Sequence, residues 1–244
     1  TSIAETMESQ GAVTKAALYP TPGVSTFCEV TEGVGGRAAF AMNGRAFFVV
    51  GSKLIEVYTA GTYVVRGDVG NDGRPAQMAS NGIGGNQLVI ASAGKLYLLD
   101  LVTNVLTTPL TSGAYQCGMS YGYFASFDPT LSQFRISGLF DGATWDALDF
   151  ASRTIGPDPW LAMLVTSYGE TWLMGEQSSE VWYNNGDPDF PFAPDQSGGL
   201  VPVGIAAPWS IKEAANNVVW LATTRDGDLQ VMAASGFTRS EEHT

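Results

Sequence analysis

Short apolar runs broken by Gly, Asn, Asp and Pro steps recur along most of the chain. Residues 38–42 run into Asn43-Gly44, 47–50 into Gly51-Ser52, and 54–58 into Ala60-Gly61 before a further run at 63–66. An Asn-Gly pair between apolar runs is the strongest short-range hairpin signal, because both central residues of the turn need positive φ. The same arrangement returns four times. Residues 87–91 turn at 92–94 into 95–101, and 123–127 turn into 133–137. Residues 171–174 turn through 176–179 into 180–183, and 218–222 turn at 225–228 into 229–233. With Phe47, Leu88, Tyr123, Trp172 and Val219 as matching anchors, the steps are 41, 35, 49 and 47 residues. Periods of roughly 40–50 residues with three or four strands each are the signature of propeller blades. Runs such as FFVV (47–50) and LVIA (88–91) are apolar on both faces, as expected of sheets sandwiched between neighbours.

The pattern predicts an all-β, β-propeller-like fold of about five blade-like repeats, each with three to four antiparallel strands, in an incomplete ring. The competing reading is a β-sandwich or a stack of hairpins with coincidental spacing. Residues 1–30 are expected to form an N-terminal segment. Pro20 and Pro22 stiffen it and Gly23 allows a turn, and a candidate closing strand runs through Val30. The propeller-like domain is expected over 31–238. Residues 239–244, RSEEHT, break the apolar rhythm and match what a sequencing adapter would encode, so they are expected to be a non-native tail on a truncated chain.

Composition narrows the picture. With 244 residues the chain can bury a sizeable core. Its 29 Gly, 12 Pro and 15% charged residues suit many short strands and tight turns, not a helical bundle or a disordered chain. No apolar run reaches the roughly 18 residues that span a bilayer, and the opening Thr-Ser-Ile-Ala-Glu lacks the regions of a signal peptide. The net charge is −12, and the twelve basic residues are scattered. Ordinary nucleic-acid recognition, which needs concentrated Lys and Arg, is therefore not expected. An acidic surface still matters near DNA, since it repels the backbone and prevents adhesion. Cys28 and Cys117 lie 89 residues apart, and buried free thiols are expected in preference to a disulfide.

Catalytic chemistry finds little to stand on. The sole histidine is His243, inside the suspect tail, so no Ser/His/Asp or Cys/His engine and no His-based metal site is expected. Asp141, Asp146 and Asp149 surround Trp145, and a glycosidase could use two such acids beside an aromatic platform. FDGATW (140–145) resembles the Asp box of sialidase propellers, but Phe140 stands where that box requires its Asp. Structural turn acids are the simpler reading. Asp187/Asp189 and Asp226/Asp228 are spaced to offer oxygens to calcium, without the twelve-residue loop and terminal Glu of a dedicated site. GVGG (33–36) and GIGG (82–85) fit no phosphate loop and read as plain loops.

The stretch 140–192 is the most individual part of the chain. It holds four of the six tryptophans, Trp145, Trp160, Trp172 and Trp182, between rigid Asp-Pro and Pro-Asp steps at 157–159 and 187–188. Trp172 and Trp182 sit inside apolar strands and are expected in the core. Phe190-Pro191-Phe192 lies in a Pro-bounded loop, where core packing and partner contact are evenly balanced. With Asp141 and Trp145, these three residues form the candidate partner-contact set.

ALYPTPGVSTF (17–27), ISGLFDGATWDALDFA (136–151), LMGEQSSEVWYNNGDPDFPF (173–192) and IAAPWS (205–210) together make the chain similar to the packaged-DNA stabilisation proteins of short-tailed phages, also called tail hub or plug proteins. The resemblance runs from about residue 10 to 238. It implies a virion protein, assembled in the host cytoplasm, that forms a homohexameric ring below the portal and its adaptor. There it would close the DNA exit channel and seat the tail needle, holding packaged DNA by confinement. It implies no catalytic residues, no cofactor and no membrane partner. The family chain is longer than this one, and the segments absent here could hold the contacts that seal the channel. The alternatives are a carbohydrate-active propeller hydrolase using Asp141, Asp146 or Asp149, and a glycan-binding adhesion module.

Overall fold

A computed structural model describes residues 2–5, 16–19, 23–82, 84–153, 155, 158–195, 199–223 and 227–235. Pro20, Pro22, Pro157, Arg225, Asp226, His243 and the 239–244 tail lie outside the described residues. No helix occurs among the described residues, and five antiparallel sheets follow one another in chain order. Sheet 1 holds β3 (Gly36–Met42), β4 (Arg45–Val50), β5 (Lys53–Val57) and β6 (Tyr63–Asp68). Sheet 2 holds β7 (Gln77–Ser80), β8 (Gln87–Ser92), β9 (Lys95–Asp100) and β10 (Leu106–Leu110). Sheet 3 holds β11 (Gln116–Ser120), β12 (Tyr123–Asp128), β13 (Gln133–Leu139) and β14 (Phe150–Ser152). Sheet 4 holds β15 (Trp160–Val165), β16 (Thr171–Gly175), β17 (Ser179–Asn184) and β18 (Phe192–Pro194), with the short β19 (Leu200–Val201) also paired to β17. Sheet 5 holds β20 (Lys212–Ala214), β21 (Asn217–Thr223) and β22 (Leu229–Ser235). At the N-terminus, β1 (Ser2–Glu5) and β2 (Ala16–Tyr19) pair only with each other among the described strands.

The anchors Phe47, Leu88, Tyr123, Trp172 and Val219 all fall on the second strand of their sheets. The repeat read from spacing is therefore a repeat of the fold. Asn43 and Gly44, at φ 49° and 72°, make the two-residue turn that their chemistry predicts. The strand expected through Val30 is not formed. Residues 23–30 carry no strand, and their path is set by contacts along sheet 1 instead.

Four hydrophobic cores join the five sheets in a row. Phe47, Val49 and Leu54 of sheet 1 pack on Met78, Leu88 and Ile90 of sheet 2. Val89, Leu96 and Leu98 on the other face of sheet 2 pack on Cys117 and Phe124 of sheet 3. Phe127 and Phe134 of sheet 3 meet Trp160, Trp182 and Phe192 of sheet 4. Trp172 and Val181 of sheet 4 meet Val218 and Trp220 of sheet 5. In the third core Phe134 lies edge-on to Trp182, with ring centroids 5.4 Å apart, and Trp182 lies edge-on to Trp160 at 5.8 Å. Such pairs add about 0.5–1.5 kcal/mol each beyond their burial. No core of this kind joins sheet 5 back to sheet 1 among the described residues, so the ring is open.

Side chains and backbone of the first strands lock neighbouring sheets together. Ala76 N–H donates to the Arg37 carbonyl at 3.1 Å, Cys117 N–H to Gln77 Oε1 at 3.3 Å, and Met163 N–H to Gln116 Oε1 at 2.6 Å. Gly118 allows β11 to approach β15 closely, because a Cβ there would run into the branched side chain of Val165.

The open row explains one departure from the sequence reading. LVIA in β8 is buried along its whole length, as expected of a sandwiched strand. FFVV in β4 alternates instead: Phe47 and Val49 are fully buried, while Phe48 is 36% exposed. Among the described residues, sheet 1 has a neighbouring sheet on only one side.

Candidate interaction surface

The FDGATW turn is built around Asp141. Its Oδ1 accepts hydrogen bonds from Ala143 N–H at 3.0 Å and from Gln87 Nε2 at 3.3 Å, and its Oδ2 accepts one from Thr144 Oγ1 at 2.7 Å. Gln87 Oε1 accepts Gly142 N–H at 2.7 Å, which ties the turn to sheet 2. The Thr144 hydroxyl, then the Ala143 amide, hold the Asp141 carboxyl below the usual carboxylate range. Trp145 is half-buried against the core between sheets 2 and 3, and its Nε1 donates to the Gly142 carbonyl at 2.8 Å. Asp146 Oδ1 accepts Leu148 N–H at 2.9 Å, and partial burial, then the Asp146 charge, raise Asp149. A general acid for glycoside cleavage needs a raised pKa. Asp141 is shifted the other way and spends both oxygens on its own turn and on Gln87.

The second stretch brings its aromatic residues inward. Phe192 is 4% exposed and Phe190 half-buried, both against the core between sheets 3 and 4, and Pro191 between them is buried. Of the two balanced readings for this tripeptide, Phe192 takes core packing: its ring lies edge-on to Phe134 at 6.1 Å. What the loop presents to solvent is Asn185 to Asp189. This tip is shaped by side-chain caps, with Gly186 N–H donating to Asn184 Oδ1 at 2.9 Å and Asp189 N–H to Asp187 Oδ1 at 2.9 Å. Asp187 and Asp189 border a concavity of about 430 Å³ with Trp182 and Phe190 at its base. No group of three or more His, Cys, Asp or Glu side chains placed to hold a metal occurs among the described residues. Residues 82–85 form a turn closed by Gly85 N–H on the Gly82 carbonyl, with Ile83 outside the described residues.

The two ends of the row carry apolar faces that sequence reasoning missed, partly covered on sheet 1 and exposed on sheet 5. On sheet 1, Phe48 pairs across the strands with Ile55, on the face opposite the first core. Residues 26–35 run past this face. Gly51 N–H donates to the Gly35 carbonyl at 2.9 Å, and the Phe27 carbonyl lies so close to Gly61 that a Cβ there would sit 2.5 Å from it. Between this segment and the sheet lies a cavity of about 880 Å³, walled by Phe27, Cys28, Val30, Phe48 and Val57. On sheet 5, Leu221 pairs with Val231, and Thr223 with Leu229, on the face opposite the fourth core. Val231 is 68% and Leu229 66% exposed.

Polar groups also line the first cavity. Arg45 grips Glu56 with two hydrogen bonds of 2.7 Å and reaches into sheet 2 through the Leu101 carbonyl at 2.8 Å and Asn104 Oδ1 at 2.6 Å. Arg66 donates to the same carboxylate at 2.7 Å and to the Tyr58 hydroxyl at 3.1 Å. Burial pushes the Glu56 carboxyl up, but the two guanidiniums outweigh it and hold the group below its ordinary value. A signal existed for this cluster in the Arg-Glu-Arg placement on three successive strands, β4, β5 and β6, but single charges on strands read equally well as a solvated face. Cys117 is buried and free, and desolvation pushes its thiol up to about 12; Cys28 is half-buried and free.

Comparison with known proteins follows the geometry. No curated protein matches the chain by sequence. Among solved structures, the virginiamycin B lyase of Staphylococcus aureus, in its selenomethionine form, is 9% identical with a TM-score of 0.53, over 82% of this chain and 70% of that one. The catalytically inactive H270A form of the same lyase, solved with quinupristin, gives 10% and 0.54 over 84% and 72%. The WD40 β-propeller domain of Doa1 is 11% identical with a TM-score of 0.51, over 82% of this chain and 63% of that one. At such identities these neighbours speak to the fold alone, and the fold they share with the chain is a propeller. A family model described as bacteriophage P22 Gp10, beta-propeller, matches residues 3–241, which is nearly the whole chain. The chain belongs to the bacteriophage P22 Gp10 β-propeller family.

Proposed function

We propose that the chain is a structural part of the head-to-tail connector of a phage virion, a tail hub that closes the DNA exit channel and stabilises the packaged genome. It acts by assembly and not by turnover. The observation that carries this reading is the family match over residues 3–241. Two physical features support it. The net charge of −12 suits a protein that DNA must pass without adhering. An exposed apolar face at the sheet 5 end of the row and a partly covered one at the sheet 1 end suit a subunit that self-associates into a ring. In the virion the partners are further copies of the chain in a homohexamer, the portal–adaptor assembly above and the tail needle below. The acidic tip at Asn185 to Asp189 and the Trp145 turn are surfaces available for those contacts.

The test is genome retention. Phage particles packaged without the protein are expected to lose nuclease-protected DNA, and adding the full-length protein is expected to restore protection. Full retention in its absence would overturn the reading.

A further inference from the structure

Two aromatic side chains stand where turn chemistry does not call for them. The turn joining β11 to β12 is Tyr121-Gly122, at φ 47° and 90°. The turn in the same place on sheet 1 is Asn43-Gly44, at φ 49° and 72°. Asn suits that first position because its short polar side chain tolerates positive φ, whereas a bulky ring there is an outlier. Phe140, just past the end of β13, is a second such outlier at φ 54°. The fold alone would be better served by another residue at both places, so the rings point to a use outside the fold.

The two rings belong to one patch. Phe140 N–H donates to the Gly122 carbonyl at 2.6 Å, and a Cβ on Gly122 would lie 2.7 Å from Leu139 and 3.0 Å from the Phe140 ring. On the other side, the Tyr121 hydroxyl donates to the Tyr168 carbonyl at 3.3 Å. Tyr121, Leu139, Phe140 and Tyr168 are 58%, 57%, 57% and 52% exposed. The patch crosses sheets 3 and 4 in the middle of the row, so its exposure does not depend on what lies beyond either end. Contiguous exposed aromatics of this kind mark interaction sites.

Charge fixes the chemistry of the partner. The segments that meet here, 81–87, 120–124, 138–150 and 166–171, contain no Lys or Arg and carry Asp141, Asp146, Asp149 and Glu170. Glu213 adds a carboxylate beside Tyr168, accepting Ser167 N–H at 2.7 Å. Exposed rings bordered by carboxylates, with no cation of their own, suit a guanidinium, which stacks on a ring face and pairs with the acids. The same surface repels nucleic acid and anionic lipid.

We propose that the Tyr121, Phe140 and Tyr168 patch docks an arginine-bearing segment of another virion protein. This rests on the assembly reading above for where the partner is met, and on the patch alone for the partner's chemistry.

The experiment compares the full chain with a variant carrying Tyr121→Asn, Phe140→Asn and Tyr168→Asn. Asn tolerates positive φ, so the turns are kept and the melting temperature should not fall. Should it fall, Tyr121→Asn alone carries the comparison. The control is Leu131→Asn, at an exposed position on the turn between β12 and β13, the opposite end of sheet 3. One probe is a fluorescein-labelled decapeptide of alternating Arg and Gly, with a Glu-Gly counterpart, read by anisotropy. The other is the phage portal–adaptor assembly, read by native mass. The parent and the control are expected to bind the Arg peptide and the assembly. The triple variant is expected to bind the peptide about tenfold more weakly and to lose the assembly. The Glu peptide should bind to none of them. Equal peptide binding by parent and triple variant would mean attraction to net charge alone and would overturn the proposal, as would no binding by the parent. If parent and triple variant join the assembly equally well, the docking role is wrong while the assembly reading stands. If the peptide separates them but the parent ignores the assembly, the assembly reading fails and the arginine site stands.

Discussion

At the residue scale, two of the three acids that look catalytic in the sequence, Asp141 and Asp146, shape their own turns. Asp141 organises its turn with three accepted bonds, so Asp141→Ala is expected to cost about 1–3 kcal/mol in chemical denaturation without creating or abolishing turnover on any glycan. Glu56 is 2% exposed between two guanidiniums, and Glu56→Ala leaves both without their carboxylate. The expected loss is about 3 kcal/mol, at the low end for a broken buried pair because both arginines reach solvent. Asp68 is the acid with the largest shift. The Lys53 ammonium, then the Gly70 amide and the Ser52 hydroxyl, hold it at about 2 instead of 3.8. A depressed folded pKa stabilises above the unfolded value and is lost as pH falls through the folded one. The denaturation midpoint should therefore drop between about pH 4 and pH 2, and Asp68→Asn should flatten that part of the profile. Thiol labelling separates the cysteines: Cys28 should react with a disulfide reagent in the folded protein, and Cys117, fully desolvated, only on unfolding.

At the scale of elements, the second and third strands of each sheet were legible because they carry unbroken apolar runs flanked by turn residues. Phe47, Leu88, Tyr123, Trp172 and Val219 mark them, and each lands on the second strand of its sheet. Outside sheet 1, where runs at 38–42 and 63–66 marked β3 and β6, the inner and outer strands were not legible. β7, β10, β14 and β20 are short, mixed in polarity and held mainly by their neighbours, so local pattern says little about them. Turns were readable where their chemistry is strong, as at Asn43-Gly44. They were hidden where an ordinary residue takes positive φ, as at Tyr121 with φ 47°. The inter-sheet bonds of Gln77 and Gln116 were also missed, although both residues open the first strand of their sheets. Gln116→Leu, which leaves Met163 N–H without its acceptor, is expected to cost about 1–3 kcal/mol. Gly118→Val at the contact of β11 with β15 should cost about 1–3 kcal/mol by overpacking, read as a lower melting temperature.

At the scale of the whole molecule, the chain is a row of five sheets joined by four cores, with an exposed apolar face at the sheet 5 end and a partly covered one at the sheet 1 end. The sequence carried the fold class and the repeat, because burial on both faces of a sheet leaves continuous apolar runs. It also predicted an incomplete ring, but it did not show which faces lie at the open ends, those of β4 and β22. Nor did it settle the Phe190 to Phe192 loop, since an aromatic beside a proline reads the same whether it points into a core or out of it. The proposed function rests on assembly, and so does its test. Native mass of the full-length protein, alone and mixed with the phage portal–adaptor assembly, addresses it most directly. The account predicts six copies bound to that assembly. A stable monomer indifferent to the portal and adaptor would contradict it.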